Sequence, residues 1–392
     1  MPPRMRLFNF GFLSLNLLVL FAFCNLAVFF SFVSFLDQLP IEPRWHGVLI
    51  GLLSASALVV RPIISPWLTP YNATRAVAAG LTLTAMSLLL YSQVHSLVPM
   101  ILLRVLHGAA NVTMLSASVT LLVAFMPPKK SGQGFGIITI MTLLPYAVIP
   151  LILENSVGHV PLGDVYMYTA LLMLPPALLL IPIARRVRAM GSTQQGTGNR
   201  QPEGGLRLNL AQPKVLLLLG SNGLLFSVFS IVFFFIKTFC SQSGIGNPGL
   251  FFTVSTCVMI GVRICFGSLF DRYDKAVLGM ASLLVLTLAI LLLNAMQSPA
   301  LFYAAATLYG VGVGAATPLM NGLMFTISQP QYRSLNTNLM LEMVDAGFFL
   351  GPAACGLALA ADLDQTTILW ACAGIILMAA GLLYPLKNTY AE

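Results

Sequence analysis

The sequence predicts an all-α membrane protein: twelve transmembrane helices in two pseudo-symmetric six-helix bundles. Three observations carry that prediction. The first is composition: 392 residues are 58% hydrophobic and only 8% charged, with a mean hydropathy of +0.88. Soluble domains carry roughly a quarter charged residues, so the solvent here must be lipid. The second is the number of apolar stretches long enough to cross a hydrocarbon core. The third is a repeat at a shift of 202 residues, which carries Arg61 onto Arg263, Gly47 onto Gly249, Gly108 onto Gly310, Pro128 onto Pro330 and Pro150 onto Pro352. Five landmarks in order at one shift mark a duplicated half.

A core of about 30 Å needs about 20 apolar residues per helix. Unclosed strands would leave backbone groups unpaired in lipid, so helix is the expected form. Breaks at charges, Pro/Gly and polar clusters divide the chain into its spans. The first runs over 11–36, after Arg4 and Arg6 and before Asp37. It is longer than the ~7–15 residues of a signal-peptide core, and no small-residue cleavage site follows, so it is expected to be retained. Five more spans follow at 46–68, 75–94, 98–125, 134–156 and 165–186. The second half repeats the series at 213–239, 248–270, 276–296, 299–327, 335–361 and 366–386. Residues 1–190 form the N-terminal bundle, 191–212 a cytoplasmic linker and 213–392 the C-terminal bundle. The linker's Gln/Gly/Ser/Thr-rich stretch from Gly191 to Gly205 is expected to be flexible.

Basic residues set the orientation. With the N-terminus inside, fifteen of the twenty Lys and Arg fall in inner segments and one, Arg44, in an outer loop. Both termini are therefore expected in the cytoplasm. The six cysteines sit singly in apolar stretches, without CxxC or His at ligand spacing. They read as reduced packing residues, and no metal site is expected. No nucleophile–base–acid set and no phosphate loop appears, so an enzyme or an ATP-driven machine is not expected, and no cofactor is implied. The basic residues form no aromatic-interleaved patch, which speaks against a nucleic-acid partner.

Three motifs then stand out. Gly267-Ser268-Leu269-Phe270-Asp271-Arg272 ends span eight, whereas its first-half counterpart has Ser65, Thr69 and Pro70 at the key places. Arg104-Val105-Leu106-His107-Gly108 lies in span four, and Gly347-Phe348-Phe349-Leu350-Gly351-Pro352, with Asp345 just before it, in span eleven. Over essentially the whole chain this pattern resembles the major facilitator superfamily, and within it bacterial proton-driven sugar and drug exporters. The resemblance implies alternating access driven by a proton gradient. It makes spans five and eight neighbours, so that Asp271 would latch the positive N-terminus of span five, steadied by Arg263 and Arg272. It makes spans two and eleven neighbours, so that Arg61 would pair with Asp345 or Glu342 in one state and lose that partner in the other.

Ionised groups at membrane depth cost about 2.5–3.5 kcal/mol or more each, and so should be paired or wet. Glu342 and Asp345 are three apart, hence on one helical face, and are the candidate proton carriers; the resemblance links Arg104 to proton coupling, as a charge that would lower a nearby acid's pKa or attract an anionic substrate group. Arg104, His107 and Asn111 form one stripe of span four. Lys237 either snorkels to the surface or forms an outer gate with Asp37. The cavity is expected between spans one, four, seven and ten, where Asn25, Phe29, Asn111, Ser116, Asn222, Ser227, Tyr309 and Asn321 are the polar or aromatic candidates, with His107 beside them. A largely apolar wall with scattered amides suits a small amphipathic or hydroxylated solute.

The leading expectation is proton-coupled efflux of a small organic solute across a bacterial inner membrane by a monomer. An uptake symporter or uniporter for a sugar, organic anion or nucleoside is the alternative. A non-transporting membrane sensor is a third reading.

Overall fold

The computed structural model describes residues 8–126, 131–156, 159–190, 209, 212–267 and 273–387. Every regular element among them is helical. Among the described residues twelve helices are long and apolar enough to span a membrane: α1 (Phe10–Leu36), α2 (Pro43–Trp67), α3 (Pro70–Leu90), α4 (Leu97–Phe125), α5 (Gln133–Asn155), α6 (Leu162–Arg188), α7 (Pro213–Ser241), α8 (Pro248–Phe266), α9 (Lys275–Asn294), α10 (Pro299–Ile327), α11 (Leu335–Ala360) and α12 (Gln365–Leu386). The expected spans all appear. The largest shift in a starting point is at α3, expected from residue 75. Thr69 accepts a hydrogen bond from the Asn72 amide, and the Asn72 side chain accepts one from the Thr69 amide at 2.7 Å. That reciprocal cap, with Pro70 at the first helical position, starts the helix five residues before Arg75.

The described residues fall into two compact units. One takes in those within 1–41 and 52–199, the other those within 42–51 and 200–392. The first turns of α2 therefore group with the second unit. The linker residues 191–208 lie outside the described residues.

Within the first unit α3 packs on α4 and α6, and α1 packs on α4, α5 and α6. Within the second, α9 packs on α10 and α12, and α7 packs on α10, α11 and α12. Adding six to each helix number turns one set into the other, so the sequence repeat is also a packing repeat.

Glycine explains how. A Cβ on Gly108 would collide with the Leu53 carbonyl oxygen, and one on Gly310 with the Ser255 carbonyl oxygen. Both the glycine and the backbone it touches move by the same shift of 202 residues (310 − 108 and 255 − 53). In each half a helix crossing is set by one missing methyl group.

The outward faces of these bundles are apolar. Val98, Leu102, Leu178 and Ile264 are each at least 64% exposed and Trp370 is 58% exposed, which only a lipid solvent tolerates in such numbers. Of the cysteines, Cys240, Cys355 and Cys372 are buried packing residues, whereas Cys257 and Cys265 stand exposed on α8. The packing role expected of all six therefore does not hold for that pair. In a lipid solvent an apolar thiol gains nothing by turning inward.

Candidate functional site

The polar stripe of α4 becomes a closed cluster inside the first unit. Arg104, His107 and Asn111 are respectively 1%, 0% and 4% exposed. Their spacing of three and four residues puts them on one face, and that face turns into the bundle. Tyr91, just beyond the end of α3, joins the first two. Arg104 donates from Nη1 to the Tyr91 hydroxyl at 3.3 Å, and that hydroxyl lies 3.1 Å from His107 Nδ1. A guanidinium can only donate, so the Tyr91 oxygen accepts from it. His107 Nε2 is buried and has no hydrogen-bond partner among the described residues.

Aromatic rings complete the enclosure. In the middle of α1 the helix tightens to a 3-10 turn over Val28–Ser31, and mid-helix 3-10 geometry often marks a functional place. Phe29 in this turn and Phe32 just after it present their rings to Arg104, with the guanidinium carbon 4.8 and 4.5 Å from the two centroids. A desolvated cation over an aromatic face gains about 2 kcal/mol or more, which offsets part of the cost of burying it. Tyr166 of α6 stacks on Phe29 at 4.9 Å, and its hydroxyl is also buried without a hydrogen-bond partner among the described residues. One turn below, Asn25 donates to Asn111 Oδ1 at 3.3 Å.

The second unit holds a simpler counterpart. Tyr309 occupies the place that the repeat assigns to His107 (309 − 107 = 202). It is 1% exposed and packs between Phe229, at 6.1 Å, and Phe251, at 5.4 Å. Ala306 replaces Arg104 there. Asn222 donates to the Met340 carbonyl at 2.9 Å, and Ser230 to the Gly347 carbonyl at 3.1 Å, so these polar groups tie α7 to α11. Ser227 is half-buried and donates to the Gly223 carbonyl of its own helix, while Asn321 is exposed.

The candidate residues thus separate by burial. Asn25, Phe29, His107, Asn111, Asn222 and Tyr309, expected along a cavity wall, sit in packed interiors at no more than 4% exposure. Ser227, Asn321, Glu342 and Asp345 keep part of their surface.

The profile of the Major Facilitator Superfamily matches residues 15–352. The chain belongs to the Major Facilitator Superfamily. The staphylopine export protein of Staphylococcus aureus (strain Mu50 / ATCC 700699) is 22% identical over 322 residues, 79% of each chain. Among solved structures, the nucleoside transporter NupG superposes with a TM-score of 0.74 at 16% identity, over 97% of this chain and 100% of the other. A bacterial homologue of the human lysosomal transporter Spinster, inward-facing and unoccupied, gives 0.74 at 12% identity, over 97% of both chains. The human organic anion transporter MFSD10 gives 0.66 at 16% identity, over 98% of this chain and 100% of the other. At these identities the three structures share the fold.

The superfamily motifs take up definite structural places. The glycines of the span-eleven motif let α11 approach α7: a Cβ on Gly347 would lie 2.7 Å from the Phe226 carbonyl carbon, and one on Gly351 would collide with the Ser227 carbonyl oxygen. Arg263 is half-buried and donates from Nε to the Gly314 carbonyl at 3.3 Å, bracing α8 on α10. Gly267 follows the last residue of α8, while Asp271 and Arg272 lie outside the described residues. Asp274, three residues further on, caps α9 by accepting from the Ala276 and Val277 amides at 2.7 and 3.2 Å. Arg61 is half-buried at the end of α2, Asp37 is exposed and Lys237 half-buried.

Sequence reasoning missed Tyr91, Tyr166 and Phe32. Tyrosine flanking an apolar run reads as an interfacial residue, and only folding brings Tyr91 to the guanidinium and Tyr166 onto the rings around it.

Proposed function

We propose that this superfamily member is a proton-coupled exporter of a small organic solute, working by alternating access in a bacterial inner membrane with both termini cytoplasmic. The observation that carries the reading is the Arg104–Tyr91–His107 chain. A guanidinium buried at membrane depth is expensive, and the protein spends two aromatic faces and a tyrosine hydroxyl on fixing its orientation. A charge held so firmly acts as a permanent positive potential inside the first bundle. Glu342 and Asp345, partly exposed in α11, are the groups that take up and release the proton. Arg61, Arg263, Gly267, Asp271 and Arg272 serve the gating surfaces, and Asp37 with Lys237 the other end. The similarity to a staphylopine export protein supports the outward direction. The proton gradient is the energy source, no cofactor is needed, and the monomer is the working unit.

A thermal-shift screen of metabolites and drugs at two pH values identifies a solute. Liposomes loaded with that solute under an imposed pH gradient then report the direction of proton movement. Antiport predicts opposite directions for solute and protons, and loss of proton movement in Asp345→Asn and Arg104→Leu with solute exchange retained. Movement of both in the same direction makes the chain a symporter and ends the export reading.

A further inference from the structure

Away from the charge centre, α3 and α6 leave a groove of about 530 Å³ between them on the outside of the first unit. One end is polar: Tyr71, Thr74 and Arg75 from the start of α3 meet Arg188 from the end of α6. The other end is apolar, with Leu81 and Leu180 as a buried floor and Ala78, Ile181 and Ala184 along the sides. The alanines keep the groove hollow. Thr82 adds no polarity, because its hydroxyl donates to the Ala78 carbonyl at 2.9 Å.

The length matches one half of a bilayer. From Tyr71 to Thr82 and from Ala177 to Arg188 the groove runs eleven residues along each helix, which is about 16 Å. One leaflet of a hydrocarbon core is about 15 Å deep. The polar end coincides with the helix ends, and the apolar end stops near the midplane.

Charge decides the occupant. The acidic residues before position 190 are Asp37, Glu42, Glu154 and Asp164. They lie at the end of α1, the start of α2, the end of α5 and the start of α6, all on the opposite side of the membrane from the groove's polar end. That polar end has Arg75 and Arg188, with Arg185 and Arg186 one turn away. Arg186 is turned onto the Phe10 ring at 4.1 Å. Two arginines at the mouth of an apolar groove one leaflet deep call for a phosphate with an acyl chain behind it.

We propose that the α3–α6 groove is a binding site for an anionic phospholipid, with its phosphate between Arg75 and Arg188 and one acyl chain lying along Ala78 and Ala184. The site is separate from the transport path and rests on no part of the transport reading.

Native mass spectrometry of the purified full chain, titrated with phosphatidylglycerol or with phosphatidylcholine of the same acyl chains, tests it. The wild type is expected to bind phosphatidylglycerol at least roughly fivefold more tightly. Arg75→Gln with Arg188→Gln should weaken that binding roughly thirtyfold, about fivefold per arginine. Ala184→Trp, which fills the groove and leaves both charges, should weaken binding of both lipids. Arg185→Gln, off the groove, should change neither. Equal binding of the two lipids by wild type, an unaffected double variant, or an equal loss in Arg185→Gln would each overturn the proposal. Displacement of the lipid by millimolar inorganic phosphate would also overturn it, since the site would then be one for a free anion.

Discussion

The two halves share a scaffold and differ in what they bury. In the first, α4 brings Arg104 and His107 into the core, held by Tyr91, Phe29 and Phe32. In the second, α10 brings Ala306 and Tyr309 to the equivalent places, among Phe229 and Phe251. The crossing that fixes each helix is the same, because Gly108 and Gly310 touch backbone at positions also related by the repeat. Duplication therefore preserved the steric part of the design. Only one copy built the environment that a buried charge requires.

Putting a charge into the half not built for it should give the largest effect. Ala306→Arg would bury a guanidinium where rings and apolar side chains surround the site, at a cost of about 3–5 kcal/mol. A large fall in the midpoint of thermal unfolding in detergent is expected. An unchanged midpoint would mean that the second half can host the charge after all, and the asymmetry would lose its energetic meaning.

The two tyrosines sharpen the contrast. Tyr91→Phe removes one acceptor of Arg104 and the Nδ1 partner of His107, so a loss of about 1.5–3 kcal/mol is expected. Tyr309→Phe removes a buried hydroxyl that has no hydrogen-bond partner among the described residues. It should be neutral or stabilising by up to about 1 kcal/mol. Equal destabilisation by the two would contradict the difference drawn between the halves.

The shared scaffold makes the opposite kind of prediction. Gly108→Ala and Gly310→Ala each push a methyl group into a backbone carbonyl, costing about 1–3 kcal/mol by overpacking. Because the contacts are equivalent, the two losses should agree in thermal unfolding. A loss confined to one half would mean the repeat has drifted in packing as well as in charge.

The smallest effect concerns a helix cap that differs between the halves, since Pro161 before α6 makes no side-chain cap. Asp364 caps α12, accepting from the Thr367 hydroxyl and from the Thr367 amide at 3.2 Å. The hydroxyl bond comes first among the causes that hold its carboxyl below the usual carboxylate range. Its stabilisation is therefore complete above the unfolded-state value, about pH 4, and is lost as pH falls through the lower folded-state value. Asp364→Asn should barely change unfolding at neutral pH, since Asn also caps helices, and should lack this acid-side loss. If wild type and variant respond identically to acid, the cap contributes nothing.

Much of this was legible before folding. Leu97 to Phe125 reads as a membrane helix from hydropathy alone, and the spacing of Arg104, His107 and Asn111 places them on one face. The repeat picked out Gly108 and Gly310 without saying what they touch. Tyr91 and Tyr166 carried no signal, because each looks like an ordinary residue at the edge of an apolar run. Likewise Asn222 and Asn25 read as cavity amides, yet they sit in packed interiors; nothing local tells an amide that faces a solute from one that bonds to a neighbouring helix.

The division follows from range. Span number, duplication and the faces of single helices depend on hydropathy, periodicity and helix geometry over ~20 residues, and the sequence determined them by itself. The enclosure of Arg104 depends on rings from α1 and a tyrosine beyond α3 meeting one guanidinium, with a tyrosine of α6 packed behind them. Only the tertiary structure decided that, since dispersion and hydrogen bonding act over a few ångströms between residues that the chain keeps far apart.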